Sequence, residues 1–530
     1  NKIEKTYVNS STANNKNILY DSYIRAFRWA SDRLDNGVIG FVTGAGWIDR
    51  SFADGLRKNF YEEFSSIYIV NLRGDIRKNI LSSGEAGEGE NVFGQGSMTG
   101  IAITFLVKNK KNNKKGIFYY DIGNNKTRKE KLNLLKKFEN IQSIKKQNKF
   151  ITTIPDEYND WINKGDKSFK KYIKIGDKKN KNEIKIFKNY SQGVGTSRDF
   201  WSYNFSSHKL KKNINYLIDN YNKEVKNKKS FQQVLKSEKL IKWSSSLQKH
   251  FEDKKYIKNN PQIYSNVHYR PFQKTNLCME PLLIHRISKI KDIFPTNKIK
   301  NLTIGVTGVG SRSGFSTFMT DTIPDIQFKT NGQFFPRKLY SSNLEDGLFA
   351  NQNNQGNNEI DAITDISLDH FKKFYENKKI TKDDIFFYIY GLFHSKEYFI
   401  KFKNNLIKEL PRIPLIKNFQ NFKIFCNTGK KLSEMHVNYD LAKLYPVKIV
   451  FTKDNINIKL NPKKLYYVQK MKFNKINSNN DKKTIIYNEN ISINDIPLEA
   501  YNYKLNGKSA IELVMDKQCV STNSDTGFHR

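Results

Sequence analysis

The chain has 530 residues, with 91 Lys and Arg against 52 Asp and Glu and a formal net charge of +39. That length holds several domains with real cores. The charge is that of a polyanion-binding protein, although the lysine usage of an AT-rich genome produces the same excess. No apolar run is long enough to cross a bilayer as a helix, and no signal peptide opens the chain. The three cysteines, Cys278, Cys426 and Cys519, are too far apart for a metal knuckle or a disulfide framework, and fit a reduced, cytoplasmic setting.

Taken in order, the first clear element is a helix in which Tyr20, Tyr23, Ile24, Phe27 and Ala30 recur as one apolar stripe. Asn36-Gly37 ends it. Residues 38–43 are nearly all apolar, as expected of a parallel strand covered on both faces. A turn, Gly44-Ala45-Gly46-Trp47, follows. Residues 52–64 are amphipathic again, and 67–72 and 101–107 read as two more buried strands. Helices alternating with buried strands predict a parallel or mixed α/β sheet, which binds ligands beyond the carboxyl ends of its strands. A polar strand at 117–122 and a basic helix at 129–138 complete this part, which ends near residue 163.

Residues 164–185 are charged and Gly-punctuated, the texture of a linker. Residues 210–246 carry helical periods and read as spacer helices. From about 256 short apolar runs are broken by Pro, Gly and Asn, which predicts a mixed α+β domain reaching residue 530. NQNNQGNNE at 351–359 is of low complexity and reads as a disordered loop. Residues 380–410 are strongly helical, with a cap formed by Thr381 and Asp384; Leu410-Pro411-Arg412-Ile413-Pro414 stops them. The last hundred residues read as short strands and turns, ending in a helix at 509–518.

The residues themselves offer several candidate sites. GVTGVGSRSG at 305–314 follows an apolar strand but lacks the Gly-Lys-Ser/Thr that leads into a helix in a nucleotide-binding loop. Two readings stand: an ordinary tight turn, or a loop pressed on a DNA backbone with Arg312 as its contact. Arg198 either pairs with Asp199 in a buried lock or contacts DNA. Tyr269-Arg270-Pro271-Phe272 is a rigid turn able to aim Arg270 at a base edge or phosphate, and Arg337 is a further candidate reader. His394 follows an apolar helix face and reads as a packed core histidine. No histidine pair has metal-ligand spacing, so no metal site is expected. Glu224-Val225-Lys226 has the E-x-K spacing of a nuclease core but lies in a basic helix without a preceding strand aspartate.

Several long phrases carry a resemblance. LYDSY, then VFGQGSMTGIAITF, resemble the distal half of the catalytic domain of N6-adenine DNA methyltransferases of the N-P-P-Y type. More specifically, YDSYIRAFRWASDR, WIDRSFADGLRK, EEFSSIYIVNLRG, GVGSRSGFSTFMTDTIPDIQFKTNGQFFP, DIFFYIYGLFHSKEY and LPRIP resemble the C-terminal part of Type ISP restriction-modification enzymes. In that family a nuclease and a helicase motor precede the methyltransferase, and a target-recognition domain follows it. The resemblance implies a partial Rossmann-like methyltransferase sheet over 1–163, linker and spacer helices over 164–255, and an α+β DNA target-recognition domain over 256–530. It implies that Tyr23, with Tyr20 a turn earlier, packs on the adenine of S-adenosylmethionine; a core tyrosine is the alternative. It implies that Phe93 stacks on the flipped target base; a packing residue is the alternative.

The N-P-P-Y loop, which accepts hydrogen bonds from the target amino group, occurs nowhere in the sequence, nor does a Gly-rich loop ahead of Leu19 for the methionine end of the cofactor. The chain is therefore read as a fragment or one half of a split gene, inactive alone, whose partners are double-stranded DNA and an N-terminal nuclease, helicase and methyltransferase portion supplied in cis or in trans. The alternative is a non-catalytic DNA-specificity protein.

Overall fold

The computed structural model describes residues 1–530 apart from 14, 82–86, 95, 112–114, 181, 228–229, 235, 259, 261–262, 297, 312, 342–357, 452–460 and 478. The chain forms two compact units. The first is built mainly from Asn1–Phe169 with Lys401–Glu409; the second comprises Lys170–Ser311, Phe315–Ile400 and Leu410–Arg530.

The first unit runs α1 (Ser22–Ser31), β1 (Gly37–Gly44), α2 (Asp54–Glu63), β2 (Ser66–Arg73), α3 (Ile76–Leu81), β3 (Ile101–Lys108), β4 (Gly116–Asp121), α4 (Arg128–Phe138), α5 (Ile141–Lys146) and β5 (Ile151–Thr153). The strands lie in the order β1-β3-β2-β4-β5. β2 and β4 are parallel, whereas β3 runs antiparallel to both β1 and β2. The sheet is thus mixed, and the carboxyl ends of β1 and β2 meet the amino end of β3 along one side. α1 buries Ile24 and Phe27 fully, while Tyr20, Tyr23 and Ala30 are partly buried against the same core. Tyr20 ends the preceding 3-10 turn Asn17–Tyr20 and does not lie on α1 itself. Phe27, Trp47 and Phe60 meet edge to face at 5.1–5.8 Å, a geometry that satisfies their ring quadrupoles. Arg28 is buried and grips Glu63 through two bonds of 2.6 and 2.9 Å, tying α1 to α2.

One strand departs from expectation. β1 is an edge strand, antiparallel to its neighbour, and it is covered on one face only. Ile39 is buried, but Val38 and Val42 are 59% and 54% exposed. Alternation puts Ile39 on the aromatic core and the two valines on the opposite face. On that opposite face α4 and α5 place Phe138 and Ile144 against Val70, Leu72 and Ile122 of the central strands.

In the second unit the described strands are β6 (Ile173–Lys174), β7 (Ser191–Gln192), β8 (Tyr203–Asn204), β9 (Tyr264–Arg270), β10 (Gln273–Cys278), β11 (Thr303–Val306), β12 (Thr317–Thr320), β13 (Gln333–Pro336), β14 (Lys338–Ser341), β15 (Asn358–Asp361), β16 (Arg412–Ile413), β17 (Lys448–Phe451), β18 (Lys472–Ile476), β19 (Asn479–Ile486), β20 (Ile491–Asn494), β21 (Lys504–Leu505) and β22 (Lys508–Ser509). Its helices include α6 (Asp199–Ser202), α7 (Ser207–Lys226), α8 (Ser245–Glu252), α9 (Asp365–Phe374), α10 (Lys382–Leu392), α11 (Lys396–Lys408), of which the last turns belong to the first unit, and α12 (Phe419–Val437). Small antiparallel sheets, β12-β11-β13-β7 and β17-β20-β19-β18 among them, make this an α+β unit. α7 buries Leu210, Ile214, Leu217 and Tyr221 in one core with Cys278 and Leu283, so the residues read as a spacer share their core with residues beyond 256.

The stretch 380–410 is two helices with a break at 393–395, and Thr381 and Asp384 form the expected capping box. α12 runs past residue 430, into the part expected to hold only short strands and turns. It packs on α10 through paired glycines: a Cβ on Gly429 would collide with the Phe387 carbonyl, and one on Gly391 would meet the Phe425 carbonyl. The low-complexity run 351–357 lies outside the described residues; the two residues that follow it, Asn358 and Glu359, pair with Ser341 and Tyr340.

Candidate functional site

A small cleft, partly open to solvent, lies in the first unit where β1 and β2 end and β3 begins. Ala45, Gly46, Arg50, Asn71, Asp75 and Gly100 are among its lining. Its wall is set by a fully buried arginine that no sequence motif marks. Arg57 donates to the carbonyls of Trp47 (2.9 Å), Arg50 (2.8 Å) and Asn159 (2.7 Å) and pairs with Asp160 at 2.8 Å. A buried guanidinium needs all these partners to offset its desolvation. The turn after β1 is thereby fixed, and Arg50 reaches across it to Asp75 at 2.7 Å. Tyr23 is partly buried, its phenol pushed up to about 12 by burial and by the Asp21 charge, against the pull of Arg50. Tyr20 stands one turn earlier, against the same core.

Phe93 is 64% exposed, the ring carried at the tip of the loop that enters β3. Its support is rigid. Asn91 is buried; its side-chain carbonyl accepts from the Phe93 N–H at 3.0 Å, and its amide donates to the carbonyls of Gly74 and Thr99 at 3.0 and 2.8 Å. Gly74 has a φ of +84°, and a Cβ there would lie 2.9 Å from the Asn91 Cα, so glycine is required for this approach. Below the loop the ammonium of Lys131, fully buried, donates to the carbonyls of Leu72, Glu88 and Glu90 at 2.8, 2.9 and 2.7 Å. In the sequence Lys131 is one cation of a basic helix among several. No local pattern marks a lysine that satisfies three main-chain carbonyls.

Three of the four candidate arginines are described, and they do not converge. Arg198 is 2% exposed and bonds the carbonyls of Lys242 and Leu283 and the Ser244 hydroxyl. Burial pushes its guanidinium down to about 10. The lock expected between Arg198 and Asp199 is replaced by another: Asp199 lies 3.5 Å from Arg270, whose main partner is Asp325 at 2.6 Å. Tyr203 and Tyr269 donate to Asp325 and Asp199 at 2.7 and 2.6 Å, so the turn at Arg270 is tied into a buried polar network. Both guanidiniums are taken up by protein partners, and the Arg270 side chain is 17% exposed. Sequence adjacency misled here because the Arg198 guanidinium and the Asp199 carboxylate find different partners, carbonyls and a hydroxyl for the one, Thr196, Tyr269 and Arg270 for the other. Arg337, between β13 and β14, forms a two-pronged pair with Asp383 and remains about a third exposed. Arg312 lies outside the described residues.

His394 is largely enclosed beside the Tyr390 carbonyl, and burial holds its ring down at about 4. Among the described residues no His, Cys, Asp and Glu cluster could hold a metal ion, and no helix is long and apolar enough to cross a membrane. The glycine-rich loop joins the antiparallel strands β11 and β12, which is not the strand-to-helix setting of a phosphate loop. Glu224 and Lys226 lie inside α7.

The family model of the Type ISP C-terminal specificity domain matches residues 185–530. No curated protein matches the chain. Among solved structures, a nuclease-deletion mutant of the Type ISP restriction-modification enzyme LlaGI, in complex with a DNA substrate mimic, is 33% identical with a TM-score of 0.83, over 99% of this chain and 46% of that one. The ATP-dependent Type ISP enzyme LlaBIII bound to DNA gives the same identity and TM-score over 99% of this chain and 33% of that one. A DrdV–DNA complex is 26% identical, with a TM-score of 0.83 over 99% of this chain and 50% of that one. The chain thus spans half or less of each of these proteins. With a family model matched over residues 185–530, well over half of its length, and three solved relatives aligned over nearly all of it, the chain belongs to the Type ISP restriction-modification family, as a C-terminal portion whose residues 185–530 match the specificity domain.

Proposed function

We propose that the second unit recognises a sequence in duplex DNA, and that the first unit is the distal half of an N6-adenine methyltransferase completed by an N-terminal portion. The specificity-domain match over 185–530, joined to relatives whose structures hold DNA, carries the first half of this reading. The net charge of +39 supports it.

Phe93 carries the second half. A large apolar ring held at 64% exposure on a rigid loop stays unfavourably hydrated unless something covers it. An adenine rotated out of the duplex is such a cover, and stacking offsets part of the cost of leaving the helix. S-adenosylmethionine would supply the methyl group. Of the residues present, Tyr23 fits its adenine: the ring is partly exposed, and its phenol feels the charge of Arg50, which lines the cleft. The open edge of β1, and beside it the sheet face that carries Val38 and Val42, are surfaces that the completing portion can cover.

The test has two stages. The chain alone should bind duplex DNA with log K falling steeply as log salt rises, and should transfer no label from S-adenosylmethionine to adenine. Adding the N-terminal portion should restore transfer. A flat salt dependence removes the DNA-recognition half of the reading; methylation by the chain alone removes the division of labour. A specificity protein without catalysis is the second reading, favoured by a specificity-domain match over residues 185–530, and it is the outcome if the completed assembly binds but never methylates.

A further inference from the structure

The segment 461–476, NPKKLYYVQKMKFNKI, contains five lysines and not one acidic residue, and the acid-free run continues to residue 480. It begins with the single helical turn Pro462–Leu465 and ends in β18. Leu465 and Val468 are buried, and they anchor it. Between and around them Tyr466 is 55% and Tyr467 45% exposed, and Lys463, Lys464, Lys470, Lys472 and Lys475 are all exposed. None of these lysines forms a salt bridge with a described residue.

This segment is not a loose tail. The Asn488 amide donates to the carbonyls of Leu465 and Tyr467 at 2.8 and 3.0 Å. The Tyr487 hydroxyl donates to the Tyr466 carbonyl at 2.9 Å, and the Val520 N–H to the Val468 carbonyl at 2.8 Å. The backbone under the two rings is therefore fixed from three sides. Gln469 holds the Tyr467 hydroxyl at 3.1 Å from its amide nitrogen. Folding has ordered two aromatic rings on the surface among cations without giving those cations a described partner of opposite charge.

We infer that this knuckle is a DNA-binding surface that grips the phosphate backbone of a duplex. The inference rests on the proposed recognition of DNA by the second unit and names where a large share of the grip lies. Lysines at a fixed spacing neutralise phosphates and release counterions. Tyrosine adds a hydroxyl donor to phosphate and a flat apolar face for the sugar edge. Such contacts fix the position of the protein on the duplex and do not themselves read sequence. The knuckle thus accounts for affinity, while sequence choice lies in other residues.

The experiment uses the full chain and a duplex carrying its target site, titrated at several salt concentrations. Lys463→Gln, Lys464→Gln and Lys470→Gln are combined in one variant. A control variant combines Lys373→Gln, Lys378→Gln and Lys379→Gln, three equally exposed lysines elsewhere in the unit. Removing one lysine–phosphate pair flattens the slope of log K against log salt by about 0.9, so the knuckle variant should flatten it by roughly 2 to 3. The control should leave it unchanged, and the ratio of specific to non-specific affinity should persist in both. Tyr466→Ala with Tyr467→Ala should lower affinity without changing the slope. Wild-type binding with a knuckle variant that matches it, or a control that flattens the slope equally, overturns the knuckle and leaves DNA recognition standing. No binding by the wild type overturns both.

Discussion

The Phe93 N–H donates to the side-chain carbonyl of Asn91 at 3.0 Å, so an exposed ring is held by a buried amide two residues away. Asn91 in turn clasps Gly74 and Thr99, and Lys131 holds the main chain beneath. The main chain at Phe93 is therefore tied to the segments at Gly74 and Thr99 through Asn91.

Phe93→Ala should slow methylation by the completed enzyme while leaving stability and sequence recognition nearly intact. Base–aromatic stacking is worth about 1–3 kcal/mol, which is a rate loss of about five- to a hundred-fold. Phe93→Trp should retain much of the activity. A duplex with a mismatch opposite the target adenine should partly rescue Phe93→Ala, because extrusion then costs less. Unchanged rates would return Phe93 to the packing residues.

Asn91→Ala should differ from Phe93→Ala in one respect. It frees the loop and also strands the carbonyl of buried Gly74, at a cost of about 1–3 kcal/mol, while the carbonyl of exposed Thr99 turns to water. Loss of both methylation and thermal stability is expected, measured by turnover and melting temperature of the same preparation. A stable but slow variant would mean that the loop is held by other bonds.

Tyr23→Ala should weaken S-adenosylmethionine binding by the completed enzyme more than DNA binding, measured by titration with each ligand separately. Tyr23→Phe should bind the cofactor almost normally, since the ring face and not the phenol is used. Equal losses for both ligands would assign Tyr23 to the core, where its partial burial already places one face.

Three enclosed histidines make the second unit acid-sensitive. His268 and His436 are held down at about 3 and His394 at about 4, chiefly by burial. The unfolded chain takes up these protons near the ordinary value of 6.5 and the folded chain does not. Their contribution is complete above that value and is lost as pH falls toward 4 and then 3. Each histidine should cost about 1.4 kcal/mol per pH unit across that window. Urea midpoints at pH 8, 6 and 5 measure it, and His394→Phe should shallow the decline. A midpoint that stays constant from pH 7 to 5 would show that the folded state admits these protons.

Gly429→Ala should destabilise the unit by about 1–3 kcal/mol. The added Cβ meets the Phe387 carbonyl, and neither helix backbone can yield without parting α10 from α12. A melting curve is sufficient, and an unchanged midpoint would mean that the helices slide.

The sequence by itself determined the elements whose periodicity is set locally. The stripe of α1, the strands β2, β3 and β4, the capping box at Thr381 and the family phrases were all legible, because each depends on residues a few positions apart. Phe93 was legible as a loop residue ahead of a strand. Tertiary structure alone decided the rest. It put β1 at an edge, since strand order depends on which chain segment arrives beside it and not on the strand's own residues. It gave Asp199 to Arg270 and left Arg198 among carbonyls, since ion pairs are chosen by where side chains point after packing. It buried Lys131 and Arg57, two charges whose neighbours in sequence do not show that main-chain carbonyls from distant segments will converge on them. And it fixed the rings of Tyr466 and Tyr467 on the surface, because Asn488, Tyr487 and Val520 reach that segment only once β19 and the final helix have folded back.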